Sequence, residues 1–162
     1  MVRYGEVRTG SARPGEAAGL TALCLRSKAH WGYDAEFMRL SALTLKVHET
    51  DIAAGRVLVA TDASDRPVGV ACVQGHAGEV DLADMFVDPP AIGSGAGRLL
   101  FEASVVLARG LGADRMTILA DPHAAPFYER MGARFLRNAP SDAIPGRLLP
   151  LYEYDLTSGA SS

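Results

Sequence analysis

The clearest chemical signal in this sequence is a glycine turn at the start of a helical segment. Gly93, Gly95 and Gly97 alternate directly before apolar residues that recur three and four positions apart. Glycines there leave backbone N–H groups exposed, and such groups bind phosphate together with the positive end of a helix dipole. Arg98, in the first predicted turn, can add a charge-assisted contact. On the glycines alone, a tight turn that binds nothing remains an equal alternative.

Two other phosphate-binding motifs do not fit this turn. A dinucleotide fingerprint needs Gly-x-Gly-x-x-Gly, but its third glycine falls on Arg98 when counted from Gly93 and on Leu100 when counted from Gly95. A P-loop needs a lysine and then Ser or Thr after its last glycine, and Arg98 stands there instead. The glycine spacing therefore argues against both kinds of nucleotide site.

The elements around the turn predict a strand, helix, strand and helix in succession. An apolar run ends at Val87, and Asp88-Pro89-Pro90 leads into the glycines. The helix should bury one face formed by Ala96, Leu99, Leu100, Ala103, Val106 and Leu107. Gly110 and Gly112 then end the helix. A second buried strand at about 116–120 and a short helix that ends at Gly132 complete the unit.

This unit resembles the acyl-CoA-binding core of the GNAT N-acetyltransferase superfamily. The family pattern is an apolar strand, Val-x-Pro, and Gln/Arg-x-x-Gly-x-Gly/Ala at a helix start; here it reads Val87-Asp88-Pro89 followed by residues 92–98. Residues 126–133, Pro-Phe-Tyr-Glu-Arg-Met-Gly-Ala, are similar to the family's second half. Two residues depart from the pattern. Ile92 stands where the family usually has Gln or Arg, and His123 where an Asn often begins the short helix.

The resemblance implies acetyl-CoA as co-substrate and no metal. The strand that ends at Val87 would hold the pantetheine arm by backbone hydrogen bonds, which requires it to splay away from the next strand. The glycine turn would hold the pyrophosphate. The predicted cofactor-binding residues are Met85, Phe86, Val87, Ile92, Gly93, Ser94, Gly95, Ala96, Gly97, Arg98, His123 and Phe127.

The resemblance also implies catalytic roles for a tyrosine and a carboxylate. Tyr128 aligns with the family tyrosine that protonates the departing sulfur, although a helix aromatic packed in the core is the alternative. Asp81 and Asp84 are candidate bases that would accept the amine proton through water. Because residues three apart in a regular strand point to opposite faces, we expect only one to face the cleft, and we favour Asp84. In a mechanism that uses a water chain, neither would be essential.

Two loops are predicted to border the acceptor. Trp31 and Tyr33 lie between the first two predicted helices, where an aromatic plug over the core is the alternative. Arg147 lies in a proline-containing loop at 138–148, where an exposed surface arginine is the alternative. The expected reaction is direct attack of a primary amine, in a small molecule, on acetyl-CoA. Small amines, amino acids, polyamines, antibiotics and protein amines all remain open, and the net charge of −3 favours a cationic acceptor.

Length and composition indicate one globular domain. The chain has 162 residues, of which 48% are hydrophobic and 22% charged. We predict a single GNAT-like α/β (α+β) domain at 1–156 and a flexible tail at 157–162. The domain should contain a mixed sheet of about seven strands and about four helices. We expect a first strand at 2–7. An antiparallel meander of strands at 57–61, 68–73 and 79–87 should lead to splayed strands at the acyl-CoA cleft.

Charge and cysteine usage limit the remaining possibilities. A net charge of −3 provides no broad basic surface for nucleic acid. Cys24 and Cys72 lack metal-ligand spacing and read as buried free thiols in a reducing compartment. There is no signal-peptide pattern and no membrane-spanning run, so we expect a cytoplasmic monomer or homodimer. A non-catalytic acyl-CoA-binding sensor or interaction module remains the alternative to an enzyme.

Overall fold

A computed structural model of the protein describes residues 6–76 and 78–157. It shows one seven-stranded sheet in the order β1-β2-β3-β4-β5-β7-β6. The strands are β1 (Arg8–Ser11), β2 (Val57–Thr61), β3 (Pro67–His76), β4 (Gly78–Val87), β5 (Ala113–Leu119), β6 (Arg134–Pro140) and β7 (Leu148–Asp155). The helices are α1 (Ala17–Ala29), α2 (Ala35–Thr44), α3 (Glu49–Ala53), α4 (Ala96–Gly110) and α5 (Ala125–Arg130). The predicted mixed α/β fold is confirmed.

Of the neighbouring strand pairs described in the sheet, one is parallel and the others are antiparallel. β2 to β4 form the predicted antiparallel meander, and β1 pairs antiparallel with β2. β4 and β5 are parallel because α4 crosses over between them, and a parallel neighbour requires such a crossover. β7 then pairs antiparallel with both β5 and β6. The parallel pair lies at the centre of the sheet, and the candidate site forms beside it.

Each face of the sheet carries its own apolar core. On one face α4 buries Leu100 and Phe101 against β4 residues such as Leu82. On the other face α1 buries Leu20 and Leu23 against inward-facing residues of β2 and β3. The site residues of β4 therefore sit between two packed layers, which fix the position of the strand.

The buried face of α4 differs from the predicted one. Val106, predicted to be buried, is 69% exposed, whereas Ser104 is fully buried. Helical geometry places Ser104 in the same stripe as Leu100 and Ala108, and its hydroxyl donates to the Leu100 carbonyl at 2.7 Å. The prediction considered apolar residues alone, so it left out Ser104 and placed the buried stripe on a different face of α4.

Several element boundaries also differ from prediction. β1 begins at Arg8, so the strand predicted at 2–7 is wrong for residues 6 and 7, and residues 2–5 lie outside the described chain. Asp34 caps the start of α2, because its carboxylate accepts a hydrogen bond from the Phe37 N–H at 2.8 Å. It ends at Thr44, and the short α3 was not predicted. Of the predicted tail, residues 158–162 lie outside the described chain.

Both cysteines are buried free thiols, as predicted. Burial, with the Asp84 carboxylate as the next contribution, raises the pKa of each thiol far above its usual value, so neither is a reactive thiolate at neutral pH. In the described part of the chain, no helix is long and apolar enough to cross a bilayer.

Candidate active site

A cleft opens where β4 and β5 separate. The two strands pair only from Gly78 to Asp81 on β4, opposite Ala113 to Thr117 on β5. Beyond that point β5 continues along β7 to Leu119, while residues 82–87 of β4 pair, among the described strands, with β3 alone. The resulting cleft has a volume of about 840 Å³. The predicted splay of these strands is confirmed.

A bulge in β4 brings two carboxylates to the same face of the sheet. Residues 72 and 73 of β3 pair with residues 84 and 82 of β4, so Ala83 has no partner. The extra residue reverses the alternation of side chains beyond it. Asp81 and Asp84 therefore both point to the α1 face, and both line the cleft. The expectation that only one of them would face the cleft is wrong, because it assumed a regular strand.

The two carboxylates are also desolvated. Burial raises the pKa of Asp84 to about 6, with a further contribution from the neighbouring Asp81. Burial raises the pKa of Asp81 as well, opposed by a hydrogen bond that the Thr117 hydroxyl donates at 2.9 Å. A carboxylate that titrates near neutral pH can accept a proton and release it at physiological pH. Asp84 therefore has the properties of a general base.

Tyr128 lines the same cleft from α5. Its ring is 5% exposed and packs edge-on against Phe101 and Phe127, with centroid separations of 6.2 and 5.3 Å. Burial, followed by the negative charges of Asp84 and Asp121, raises the pKa of the phenol well above its usual 10. No hydrogen bond joins this hydroxyl to another described residue. Tyr128 is thus a core aromatic whose protonated hydroxyl remains available to a ligand.

The glycine turn has the backbone conformation that its sequence suggested. Gly93 and Gly95 have φ values of 89° and 92°, which residues with a Cβ rarely adopt. Gly97 differs because it lies within α4, where an added Cβ would meet the Phe127 ring at 3.5 Å. The first two glycines are thus required by the turn itself. The third keeps the helix start close to α5.

The turn and the first residues of α4 leave several backbone N–H groups free. The Ser94 N–H donates to the Ala91 carbonyl at 3.0 Å, and the Ala96 N–H donates to the Ser94 hydroxyl at 3.3 Å. Within the described chain, the N–H groups without such a partner belong to Gly93, Gly95, Gly97 and Arg98. Together with the helix dipole they form a row of donors suited to phosphate oxygens. The Arg98 guanidinium lies nearby but is paired with Glu102 at 3.1 Å.

Most of the residues predicted for the site do line this cleft: Trp31, Asp81, Asp84, Met85, Phe86, Val87, Ile92, Gly93, Gly95, Gly97, Arg98, His123, Phe127 and Tyr128. Two predicted cofactor residues do not. Ser94 supplies hydrogen bonds inside the turn, and Ala96 is 1% exposed and packs into the core. Their contribution is to the shape of the turn.

Of the predicted acceptor residues, one lines the cleft and the other two lie behind its wall. Trp31 stacks on His123, with ring centroids 4.7 Å apart and planes 7° from parallel, and both rings line the cleft. Tyr33 and Arg147 do not line it. The Tyr33 hydroxyl donates to Asp121 at 2.7 Å and accepts from the Arg147 guanidinium at 3.0 Å. These two residues therefore anchor Asp121, behind the wall that Trp31 and His123 present.

Asp121 holds this end of the cleft together. Its carboxylate accepts from the His123 N–H at 2.9 Å and contacts the His123 ring at 2.8 Å. Burial acts to raise the pKa of Asp121, but the hydrogen bonds from His123 and Tyr33 outweigh it and lower the pKa. The residue thus stays ionised and fixes the loop that begins α5.

Sequence reasoning missed several polar side chains that line the cleft, among them Lys28, Ser41, Asp121, Arg130 and Asp142. One signal was present, because lysine is rare in this chain and occurs only as Lys28 and Lys46. Ser41 gave no signal, since a serine within a predicted helix is unremarkable. In the described residues, no group of three or more His, Cys, Asp or Glu side chains is arranged to hold a metal ion.

The sequence comparison identifies the family. The model of the acetyltransferase (GNAT) domain matches residues 53–132, which span β2 to the end of α5 and include the bulge, the turn and Tyr128. The chain belongs to the GNAT superfamily, and it is an acyl-CoA N-acyltransferase of that type. No curated protein sequence matches it significantly.

Solved structures share the whole fold. A GCN5-related N-acetyltransferase from Rhodopseudomonas palustris is 25% identical, with a TM-score of 0.73 over 96% of this chain and 98% of the other. PaiA N-acetyltransferase from Thermoplasma acidophilum, solved with coenzyme A, is 12% identical, with a TM-score of 0.75 over 93% and 99%. YncA from Salmonella typhimurium, a putative acetyltransferase solved with acetyl-CoA, is 19% identical, with a TM-score of 0.67 over 97% and 98%. The last two likenesses concern the fold alone.

Proposed function

We propose that this protein transfers an acetyl group from acetyl-CoA to the primary amine of a small molecule by direct attack. The observation that carries the proposal is the unpaired edge of β4 at residues 82–87, which leads directly into the free N–H groups of the glycine turn. An extended pantetheine arm can pair with that edge like an added strand. The pyrophosphate then reaches the N–H groups of Gly93 and Gly95, with Arg98 and Arg130 at the same cleft.

The proposed chemistry uses two side chains that line the cleft, Asp84 and Tyr128. Asp84 accepts a proton from the acceptor ammonium, directly or through one water, and frees the amine lone pair. The amine attacks the thioester carbonyl carbon and forms a tetrahedral intermediate, and the nitrogen loses its second proton to solvent as this intermediate collapses to the amide. When the carbon–sulfur bond breaks, the Tyr128 hydroxyl donates its proton to the sulfur, and coenzyme A leaves as the thiol. Solvent returns the proton to Tyr128, and Asp84 releases its proton.

The proximity of these groups supports catalysis over passive binding. A sensor needs the turn and the strand edge, but it has no use for a carboxylate with a pKa of about 6 beside a buried phenol. Keeping Asp84 desolvated costs folding stability, and such costs are typical of functional sites. Support for a single cytoplasmic domain comes from the continuous sheet, which runs from β1 to β7, and from the buried free thiols.

Thiol release from acetyl-CoA in the presence of a panel of primary amines tests the proposal. We expect turnover with at least one class of small amine and a large loss of kcat in Asp84→Asn. Asp114→Asn is the matched control, because Asp114 is an exposed carboxylate on β5. Binding of acetyl-CoA without turnover of any amine would identify a sensor and contradict the proposal.

A further inference from the structure

The cleft wall formed by α1 carries a half-buried ammonium group. Lys28 lines the cleft, and its side chain is 15% exposed. Its Nζ lies 3.5 Å from an Asp121 oxygen and 5.3 Å from the ring centroids of both Tyr33 and Phe37. One long contact to Asp121 occupies at most one of the three ammonium donors. Lys28 therefore retains donors for a molecule in the cleft.

The positive charge of Lys28 is not fully compensated by Asp121. Arg147 lies 4.0 Å from the same carboxylate oxygen, and the Tyr33 hydroxyl donates to that oxygen at 2.7 Å. Two cations therefore share this one carboxylate, and the other negative charge that acts on Lys28 is that of Asp84. Burial lowers the pKa of Lys28, because a half-buried ammonium is incompletely solvated. A cation that shares its one close carboxylate with a second cation favours a further anionic partner.

A serine on the adjacent helix lacks a hydrogen-bond partner. Ser41 of α2 is 1% exposed and lines the cleft, and its hydroxyl makes no hydrogen bond within the described chain. A buried hydroxyl without a partner is destabilising. Rotation about its Cα–Cβ bond can turn the hydroxyl towards an occupant of the cleft. Ser41 lies one helical turn beyond Phe37, whose ring centroid is 5.3 Å from the Lys28 Nζ, and is thus a second donor at this end of the cleft.

The opposite wall has the opposite charge. Asp81 and Asp84 project from β4, and Asp142 on the β6–β7 loop lines the cleft beside them. An ammonium fits against these carboxylates, and an anionic group fits against Lys28. From this arrangement we infer that the acceptor is a zwitterionic amine, an amino acid whose amine meets Asp84 and whose carboxylate meets Lys28 and the Ser41 hydroxyl. The inference rests on the proposed function, since it names the acceptor of the same site.

An amino-acid acceptor is a narrower class than the cationic acceptors that net charge alone favours. The whole-chain charge of −3 favours any cation, including a diamine or polyamine. Such an acceptor would place a second ammonium near Lys28, where like charges repel. An amino acid avoids this repulsion and satisfies both walls. Lys28 is therefore the residue that decides between the two acceptor classes.

Matched pairs of acceptors test the inference directly. Thiol release from acetyl-CoA is measured with L-amino acids, with their carboxamides, which lack only the negative charge, and with linear diamines. We expect kcat/KM for at least one amino acid to exceed that of its carboxamide by about 10- to 100-fold, the range for a hydrogen bond to a charged group. The carboxamide has the less basic amine, so at neutral pH more of it is unprotonated, and the supply of free amine therefore favours the carboxamide and cannot produce this preference. A preference for carboxamides or diamines would overturn the inference.

Variants then test whether Lys28 and Ser41 cause the preference for amino acids over carboxamides. Lys28→Gln should reduce the ratio of amino acid to carboxamide kcat/KM by about 10-fold or more, and Ser41→Ala should reduce it less. Lys46→Gln, at the exposed second lysine, should leave the ratio unchanged. An unchanged ratio in a folded Lys28→Gln protein would also overturn the inference.

Calorimetry separates this inference from the proposed function. Amino acids are titrated into the complex with the non-reactive product coenzyme A, so that binding is measured without turnover. If amino acids bind, and Lys28→Gln weakens their binding, the inference stands even where no acetyl transfer occurs, and only the proposed function fails. If diamines turn over while amino acids do not bind, the function stands and the inference fails. If nothing turns over and no amino acid binds, both are wrong.

Discussion

Asp81 and Asp84 are three positions apart on one strand, yet both point to the α1 face because Ala83 bulges out of the β3–β4 ladder. The same bulge lies where β4 loses β5 as a neighbour. One inserted residue therefore accompanies two features of the site: the pair of carboxylates and the opening of the cleft. Burial raises the pKa of both carboxyl groups, and the negative charge of Asp81 raises the pKa of Asp84 further.

The raised pKa of Asp84 predicts a stability cost that depends on pH. The folded-state value of about 6 lies above the ordinary 3.8, so the native state binds this proton more tightly than the unfolded state. The tighter proton binding stabilises the native state fully at pH values below 3.8, and this stabilisation is lost as the pH rises through about 6. Asp84→Asn should therefore raise the free energy of unfolding at pH 8, by on the order of 2 kcal/mol, with little gain at pH 4. Denaturant unfolding at the two pH values measures this.

The control for that experiment is an exposed carboxylate. Asp114→Asn should change stability little at either pH, because no buried charge is removed. Equal stability of Asp84→Asn and the unsubstituted protein at pH 8 would show that the native site solvates Asp84 better than its burial suggests.

The glycine turn predicts a specific loss of cofactor binding. Gly95→Val should weaken acetyl-CoA binding beyond detection by calorimetry, since a branched side chain at a φ of 92° distorts the free N–H groups beside it. Gly15→Val matches the backbone strain, with a φ of 91° and open space around the added Cβ, but it lies away from the cleft. It should cost stability and leave acetyl-CoA affinity intact. Full affinity in folded Gly95→Val would exclude the turn as the phosphate site.

Tyr128→Phe separates the two roles of this tyrosine. The substitution keeps the ring that packs on Phe101 and Phe127, and the lost hydroxyl has no partner in the described chain, so stability should change by less than about 1 kcal/mol. We predict that kcat falls by roughly 10- to 100-fold, at the low end for general acid help because a thiolate is a good leaving group. Acetyl-CoA affinity should hold. Steady-state kinetics and thermal unfolding measure both effects.

A second tyrosine provides the contrast. The Tyr152 hydroxyl donates to Glu129 at 2.5 Å, so Tyr152→Phe should lower stability and keep kcat. The high pKa of Tyr128 also means that the rate should not fall through loss of its proton below about pH 10. Unchanged kcat with lower stability in Tyr128→Phe would make Tyr128 a packing residue alone.

Substitution of the predicted acceptor residues should affect KM for the amine and KM for acetyl-CoA differently. Alanine at Trp31, Tyr33 or Arg147 should raise KM for the amine more than KM for acetyl-CoA, because these residues form or support the α1 end of the cleft. Phe135→Ala, which removes an aromatic ring that is 50% exposed on β6, should change neither constant. A rise confined to KM for acetyl-CoA would place the loops on the cofactor side.

The sequence was most informative where local chemistry determines structure. Positive φ values at Gly93 and Gly95 need glycine, and the Asp34 side chain caps α2, so both features could be predicted from residue types. The predicted place of Tyr128 depended on the family resemblance, and the structure brings it to the cleft beside Asp84. Its catalytic role remains a prediction.

Features that depend on tertiary pairing could not be read from the sequence. The bulge at Ala83 exists only in the register with β3, and nothing in the local sequence marks it. Lys28 and Ser41 come from different helices and meet the cleft only after both pack on the sheet. Arg147 was predicted to touch the acceptor, but it lies behind the wall because Tyr33 and Asp121 hold it there.

A pH–rate profile tests most directly whether Asp84 accepts the proton of the acceptor amine in this cleft. With a saturating amine, kcat/KM for acetyl-CoA should rise as pH increases through about 6, the pKa that burial gives Asp84. In Asp84→Asn the rate should be lower, and this limb should be absent. An unchanged rate and an unchanged limb near pH 6 in the folded variant would contradict the account.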